Sequence, residues 1–127
     1  MSATILIVDD DPVQRRLLGH AVERFGYRAL VATSGREALE LLARPEGEAV
    51  ALMVLDLVMP DVDGMGVLAR LRAEDRMLPV IVQTAHGGIE TVVSAMRAGA
   101  ADFVVKPVSP DRLHVSIENA LRLGALE

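Results

Sequence analysis

Five short apolar runs punctuate the chain, and each is followed by a polar or turn-forming cluster and then by a helical stripe. The first, Thr4–Val8, reads Thr-Ile-Leu-Ile-Val, a β-branched stretch suited to a strand buried on both faces. It ends in Asp9, Asp10 and Asp11. Asp11 before Pro12 predicts a helix N-cap with proline in the first turn. Val13, Leu17, Leu18, Ala21, Val22 and Phe25 are expected on one face of that helix, which Gly26 closes. Arg28–Ala32 predicts a second strand, and Ser34 with Glu37 a capping box. Ala38, Leu39, Leu41 and Leu42 give that second helix its apolar side, Pro45 stops it, and residues 46–48 are expected as a polar loop. The run opening at Ala51 is the most continuous. It breaks at Asp56, and the turn residues Pro60, Asp61, Asp63 and Gly64 follow. A third helix is expected over 65–72, a fourth strand over 79–83 ending at Thr84, and a loose connection at His86, Gly87 and Gly88. Ile89, Val92, Val93 and Met96 form the next stripe, read as core first and interface second, with Gly99 closing it. A fifth strand over 103–105 ends at Lys106 and Pro107. Ser109 and Pro110 then start a last helix carrying Leu113, Ile117, Ala120 and Leu121.

Strict alternation of strand and helix predicts an α/β fold, a doubly wound five-stranded parallel sheet with five helices on its two faces. No repeat or internal boundary interrupts it, so residues 1–127 are expected to form one domain. The chain has no cysteine, which excludes disulfides and thiolate metal sites. Although 51% of residues are hydrophobic, no apolar run approaches the ~20 residues of a membrane span, and no secretory leader is present. A cytoplasmic location is expected. A net charge of −5 and 2% aromatics argue against direct nucleic-acid binding by this domain.

In a flavodoxin-like strand order, 2-1-3-4-5, ligands bind where the order reverses, beyond the carboxyl ends of strands one and three. Those ends carry Asp9, Asp10 and Asp56, flanked by Thr84 on strand four and Lys106 on strand five. Three carboxylates together need a cation, and oxygen ligands on a partly open site suit Mg²⁺. A carboxylate can also attack phosphorus to give an aspartyl-phosphate, whose oxygens a metal, an ammonium and a hydroxyl would receive.

At this point the chain resembles the receiver domains of two-component response regulators over nearly its whole length. The resemblance rests on Asp9-Asp10 after Ile-Leu-Ile-Val, Asp56 within Leu-Asp-Leu-Val-Met-Pro-Asp-Val-Asp-Gly, Thr84-Ala85, and Lys106-Pro107 after Asp-Phe-Val-Val. It implies that Asp56 is the phosphoacceptor, Asp10 a direct Mg²⁺ ligand, Asp9 a supporting one, and the backbone carbonyl of Val58 a further ligand. It implies that Thr84 is the switch hydroxyl, Phe103 the switch aromatic, and Lys106 the partner of the phosphoryl group, with a cis peptide before Pro107. Phe103 lacks the hydroxyl of the tyrosine often found there, so its readout must be steric. The ending Ser-Pro-Asp-Arg-Leu and Glu-Asn-Ala-Leu-Arg-Leu resembles receivers at the head of enhancer-binding activators of the nitrogen-regulator type. The resemblance therefore implies the amino-terminal part of a longer protein. It also implies a sensor histidine kinase or phosphotransfer protein as donor, a transcriptional output, and catalysis limited to the domain's own phosphorylation and dephosphorylation.

Simpler readings exist for each residue. Asp9–Asp11 can be a turn and cap, which accounts for Asp11 but not for the pair before it. Asp61 and Asp63 are read as turn residues, Lys106 alone would be a snorkelling lysine, and His86 a loop residue. An aspartate-nucleophile phosphatase would need a second acid where Val58 stands, and a degenerate receiver would lack one of the positions present here. Leu121, Leu123 and Leu126 prolong the last helix with apolar surplus, so a homodimer through the fourth or fifth helix is expected.

Overall fold

A computed structural model describes residues 3–59, 62–85 and 89–125 of the chain. Its elements run β1 (Thr4–Val8), α1 (Pro12–Arg24), β2 (Arg28–Ala32), α2 (Gly35–Ala43), β3 (Val50–Asp56), α3 (Gly64–Ala73), β4 (Val80–Thr84), α4 (Ile89–Arg97), β5 (Asp102–Val105) and α5 (Pro110–Ala125). All neighbouring strands are parallel, in the order β2-β1-β3-β4-β5. The alternation of side chains along each strand sorts the core into two layers. Ile5, Ile7, Leu52, Val54, Ile81 and Val104 face Leu18 and Val22 of α1 and Leu113 and Ile117 of α5. Leu6, Val8, Met53, Leu55 and Val82 face α2, α3 and Ala95 of α4. This two-sided burial is why β1, β3 and β4 read as unbroken apolar runs.

The expected stripe on α1 is only half right. Leu18 and Val22 are core, but Val13 and Leu17 are each 60% exposed. At about 100° per residue those two positions lie well round the helix from the Leu18–Val22 line. The α4 stripe fails similarly. Ile89 is 79% exposed, Val93 and Met96 also face outward, and the buried residue of the helix is Ala95. Of the side chains read as core there, Val92 is half-buried and the other three are surface, because α4 docks through a small residue. Residues 46–48 are not an open loop but part of a short 3₁₀ turn, Pro45–Ala49. Ser34 does accept the Glu37 N–H, but Glu37 closes the box one residue upstream, on the N–H and hydroxyl of Thr33. Asp63 is more than a turn residue: it caps α3 through the N–H of Gly66 at 2.9 Å. Pro60, Asp61, His86 and Leu126 lie outside the described residues.

Two glycines divide by what surrounds them. Gly64 opens α3 against the end of β3, and a Cβ there would stand 2.6 Å from the Asp56 carbonyl oxygen and 2.7 Å from Leu57 Cα. Only a hydrogen fits, and this contact sets α3 against the strand that ends in Asp56. Gly19, inside α1, has nothing within 4 Å of a built Cβ. Gly19→Ala should therefore stabilise by about 0.5–1 kcal/mol through helix propensity. Gly64→Ala should destabilise by roughly 3 kcal/mol through forced overpacking. Denaturant midpoints of the two variants check the pair, and similar midpoints would contradict the packing argument.

Candidate functional site

The register of the sheet brings the chemistry together. Val8 of β1 pairs with Leu55 of β3, so Asp9 and Asp56 follow side by side, and Asp56 in turn pairs with Gln83 of β4. By alternation all three belong to the face under α1 and α5. Asp56 is 4% exposed and Asp9 not at all. Lys106 leaves β5 two residues after the buried Val104, toward the same face. Its Nζ lies 3.1 Å from Asp56 Oδ2 and 3.3 Å from Asp9 Oδ2. The end of β5 is pinned by the Lys106 N–H donating to the Thr84 carbonyl at 2.8 Å, and the Lys106–Pro107 peptide is cis, as the resemblance implies.

Local bonds hold each carboxylate in place. Asp56 Oδ1 accepts the N–H of Val58 at 3.2 Å, which sets Val58 at the site. Asp9 Oδ1 accepts the N–H of Asp11, and the Asp9 carbonyl accepts Arg15 Nη1 at 2.8 Å. Asp10 is exposed, yet Asp9, Asp10 and Asp56 can each present an oxygen within 4.8 Å of the others. Asp11 caps α1 through the N–H of Val13 and takes no part in the cluster.

Burial pushes the Asp56 carboxyl above its usual range. The Val58 N–H and the Lys106 ammonium pull it back, and Asp9 pushes it further up. Burial pulls Lys106 down, but Asp56 and Asp9 outweigh it and hold the ammonium charged. One cation thus faces three carboxylates. Asp9 Oδ2, fully buried, is near Lys106 but makes no aligned hydrogen bond. A buried carboxylate oxygen without a donor, beside two other carboxylates, is a donor set that fits a hard divalent cation such as Mg²⁺.

Thr84 and Phe103 lie on the opposite face. By alternation they share it with Val82, and Phe103 packs half-buried against the layer under α2, α3 and α4. Thr84 is buried, and its Oγ has no hydrogen-bond partner among the described residues. Phe103 is held at its backbone: its N–H donates to Asp102 Oδ1, and its carbonyl accepts Arg112 Nη2 at 2.8 Å. Burial acts to raise Asp102, but hydrogen bonds from Arg112, Ser116 and the Phe103 N–H hold its carboxyl below the usual range.

Three supporting residues escaped the sequence reading. Arg15 acts by reaching a backbone carbonyl, and Arg112 by reaching the Phe103 carbonyl and the Asp102 carboxylate across the fold, contacts that leave no trace in a local motif. Gln83 did leave a signal, as the lone amide in Val-Ile-Val-Gln-Thr. A groove of about 690 Å³ lies between Met77, Leu78, Ala120 and Leu123; Asp102 lines it, and Asp9, Asp10 and Asp56 do not.

Comparison with known proteins agrees with this geometry. A family model for the response regulator receiver domain matches residues 5–118. The chain is 38% identical over 123 residues to the regulatory protein AtoC of Escherichia coli strain K12, covering 97% of this chain and 26% of that protein. It is 41% identical over 123 residues to the transcriptional regulatory protein GlrR of the same strain, covering 97% and 27%. The chain thus spans about a quarter of the length of the curated relatives it matches. A receiver domain protein from Clostridium thermocellum superposes with a TM-score of 0.90 over 98% of each chain, at 28% identity. NtrX from Brucella abortus superposes with a TM-score of 0.89 over 99% of this chain and 28% of that one, at 35% identity. Strand order, the acidic strand ends and the match over most of the sequence lead to one assignment: the chain belongs to the response regulator receiver domain family of two-component signalling.

Proposed function

We propose that the chain is a phosphorylation-dependent switch in which Asp56 accepts a phosphoryl group from a sensor histidine kinase or a phosphotransfer protein. The observation that carries this reading is the Lys106 ammonium set between the buried carboxylates of Asp56 and Asp9, with Asp10 beside them. Asp56 Oδ attacks phosphorus, and the new P–O bond forms as the bond to the donor's imidazole nitrogen breaks, its electron pair returning to the ring. The nucleophile is poorly solvated, so little water must be stripped from it. Lys106 exchanges its contact with Asp56 for one with a phosphoryl oxygen and holds the charge that develops there. Asp9, Asp10, Asp56 and the Val58 backbone carbonyl would hold Mg²⁺, which would further neutralise those oxygens.

The phosphoryl group brings roughly two negative charges to the strand ends. Thr84, with its hydroxyl unpaired, turns toward it, and Phe103 takes the space released on the far face. The exposed apolar residues of α4 and β5, Ile89, Val93, Met96 and Val105, are then the surface through which a homodimer forms. The output is control of transcription, as the name of the relative GlrR, a transcriptional regulatory protein, suggests, and the resemblance of the last helix points to a further domain of the enhancer-binding activator type. The domain itself is no enzyme beyond its own phosphorylation and hydrolysis, and it works in the cytoplasm.

Acetyl phosphate with Mg²⁺ should add one phosphoryl mass to the chain and none to Asp56→Asn, as read by intact mass spectrometry. A full adduct on Asp56→Asn would remove the assignment. The same variant tests the electrostatics. A carboxylate whose folded pKa is raised lowers stability as pH climbs from its unfolded value, about 3.9, through the folded one. In chelator, Asp56→Asn should therefore melt above the wild type at pH 7, and the difference should shrink as pH falls toward about 4.

Mg²⁺ at ~100 times its dissociation constant should stabilise the wild type by about 2.7 kcal/mol, roughly 10 °C in melting midpoint for a domain of this size. Asp10 is exposed, so Asp10→Asn should melt no lower than the wild type in chelator and lose most of the Mg²⁺ gain. A wild-type Mg²⁺ response in that variant would place the metal elsewhere. For assembly, sedimentation equilibrium should find a larger dimer fraction after phosphorylation. Ile89→Glu should abolish that gain without changing phosphoryl uptake.

A further inference from the structure

Gln83 is the one residue of the strand-end row that the reading above does not use. It lies beside Asp56 in the sheet, on the face shared with Asp9 and Lys106, and it is 0% exposed. Neither Oε1 nor Nε2 of its amide has a hydrogen-bond partner among the described residues. A buried amide with both ends unpaired is costly, and an apolar side chain of the same length would fill the space without that cost. Volume alone therefore does not account for glutamine here.

The topology supplies its use. Lys106 stands on β5 and its ammonium reaches Asp56 on β3 and Asp9 on β1, so its side chain crosses β4, where Gln83 is the neighbour on the same face. An ammonium has three N–H donors; one goes to Asp56 Oδ2, and a second is left for Asp9 Oδ2, 3.3 Å away and not yet aligned with it. We infer that Gln83 is a positioning residue for phosphoryl transfer, unpaired in the resting domain and paired in the phosphorylated one. Its Oε1 accepts the third N–H of Lys106 when that ammonium turns to the phosphoryl oxygens. Its Nε2 donates to the acyl oxygen left on Asp56. The unpaired amide raises the free energy of the resting state, and pairing it favours the phosphorylated one. This inference rests on Asp56 as acceptor.

The test combines stability with kinetics. In chelator, Gln83→Met should raise the resting melting midpoint by about 4 °C or more, since an unpaired polar group is replaced by an apolar one. Its rate of phosphoryl uptake from acetyl phosphate, followed by intact mass, should nevertheless fall about tenfold, the scale of one charge-assisted hydrogen bond. In a Lys106→Met background, adding Gln83→Met should slow uptake by clearly less than tenfold, because the ammonium it positions is already gone and only its contact to Asp56 is left to lose. Three results overturn the inference while leaving Asp56 as acceptor: an unchanged rate with Lys106 present, an equal fall in both backgrounds, or a lowered midpoint. A wild-type chain that takes up no phosphoryl group, or an adduct that persists in Asp56→Asn, removes the acceptor assignment and this inference with it.

Discussion

A single ammonium group faces the two buried carboxylates at the end of this sheet. Asp9 and Asp56 sit almost without solvent, in register on adjacent strands, and Lys106 is the cation among the described residues that ion-pairs with both. Other features of the site are arranged around that imbalance. The N–H groups of Val58 and Asp11 hold one oxygen of each carboxylate, leaving the other oxygen of each facing Lys106. Gly64 lets α3 close on the β3 end without displacing Asp56. The hydrogen bond from Lys106 N–H to Thr84 carbonyl fixes where the lysine starts its reach. The charge excess that remains makes the pocket receptive to a cation and to the phosphoryl chemistry that a cation supports.

Much of this was legible in the chain because the local signals agreed with one another. The β-branched runs, Asp11 before Pro12 and the Ser34 cap are each short-range rules with a single outcome, and the structure follows them. Asp9, Asp10, Asp56 and Lys106 were legible because alternation gives a parallel sheet and the receiver resemblance implies its strand order, which decides which strand ends meet. Where the reading failed, the information was not local. Val13 and Leu17 are apolar at helical spacing, but which side of α1 meets the sheet depends on how it docks. Ile89, Val93 and Met96 look like core and are surface, because Ala95 permits closer approach than they do.

The supporting contacts were invisible for a different reason. Arg15 binds a backbone carbonyl, as does Arg76, which donates to the carbonyls of Leu42 at 2.7 Å and Gly47 at 2.9 Å, and Arg112 adds one to its pair with Asp102. A carbonyl has no side-chain identity, so no residue pair betrays such a bond before the fold is known. These guanidinium groups tie loops and helix ends to the sheet and account for several arginines that charge patterning alone would assign to solvent.

The placement of the acidic cluster on one side of the sheet and of Thr84 and Phe103 on the other has a consequence for how such a chain diversifies. The layer beneath α1 and α5 carries Asp9, Asp56 and Lys106, so under the proposed function substitutions there would alter the chemistry. The layer beneath α4 is separated from it by the thickness of a strand, and its outer residues touch none of the carboxylates. Under the proposed function, changes to that surface would redirect which molecule is addressed while the timing of the chemical step stays as it was. Descendants of one ancestral chain can therefore acquire different correspondents by surface drift on α4 and β5, each keeping the same inherited clock.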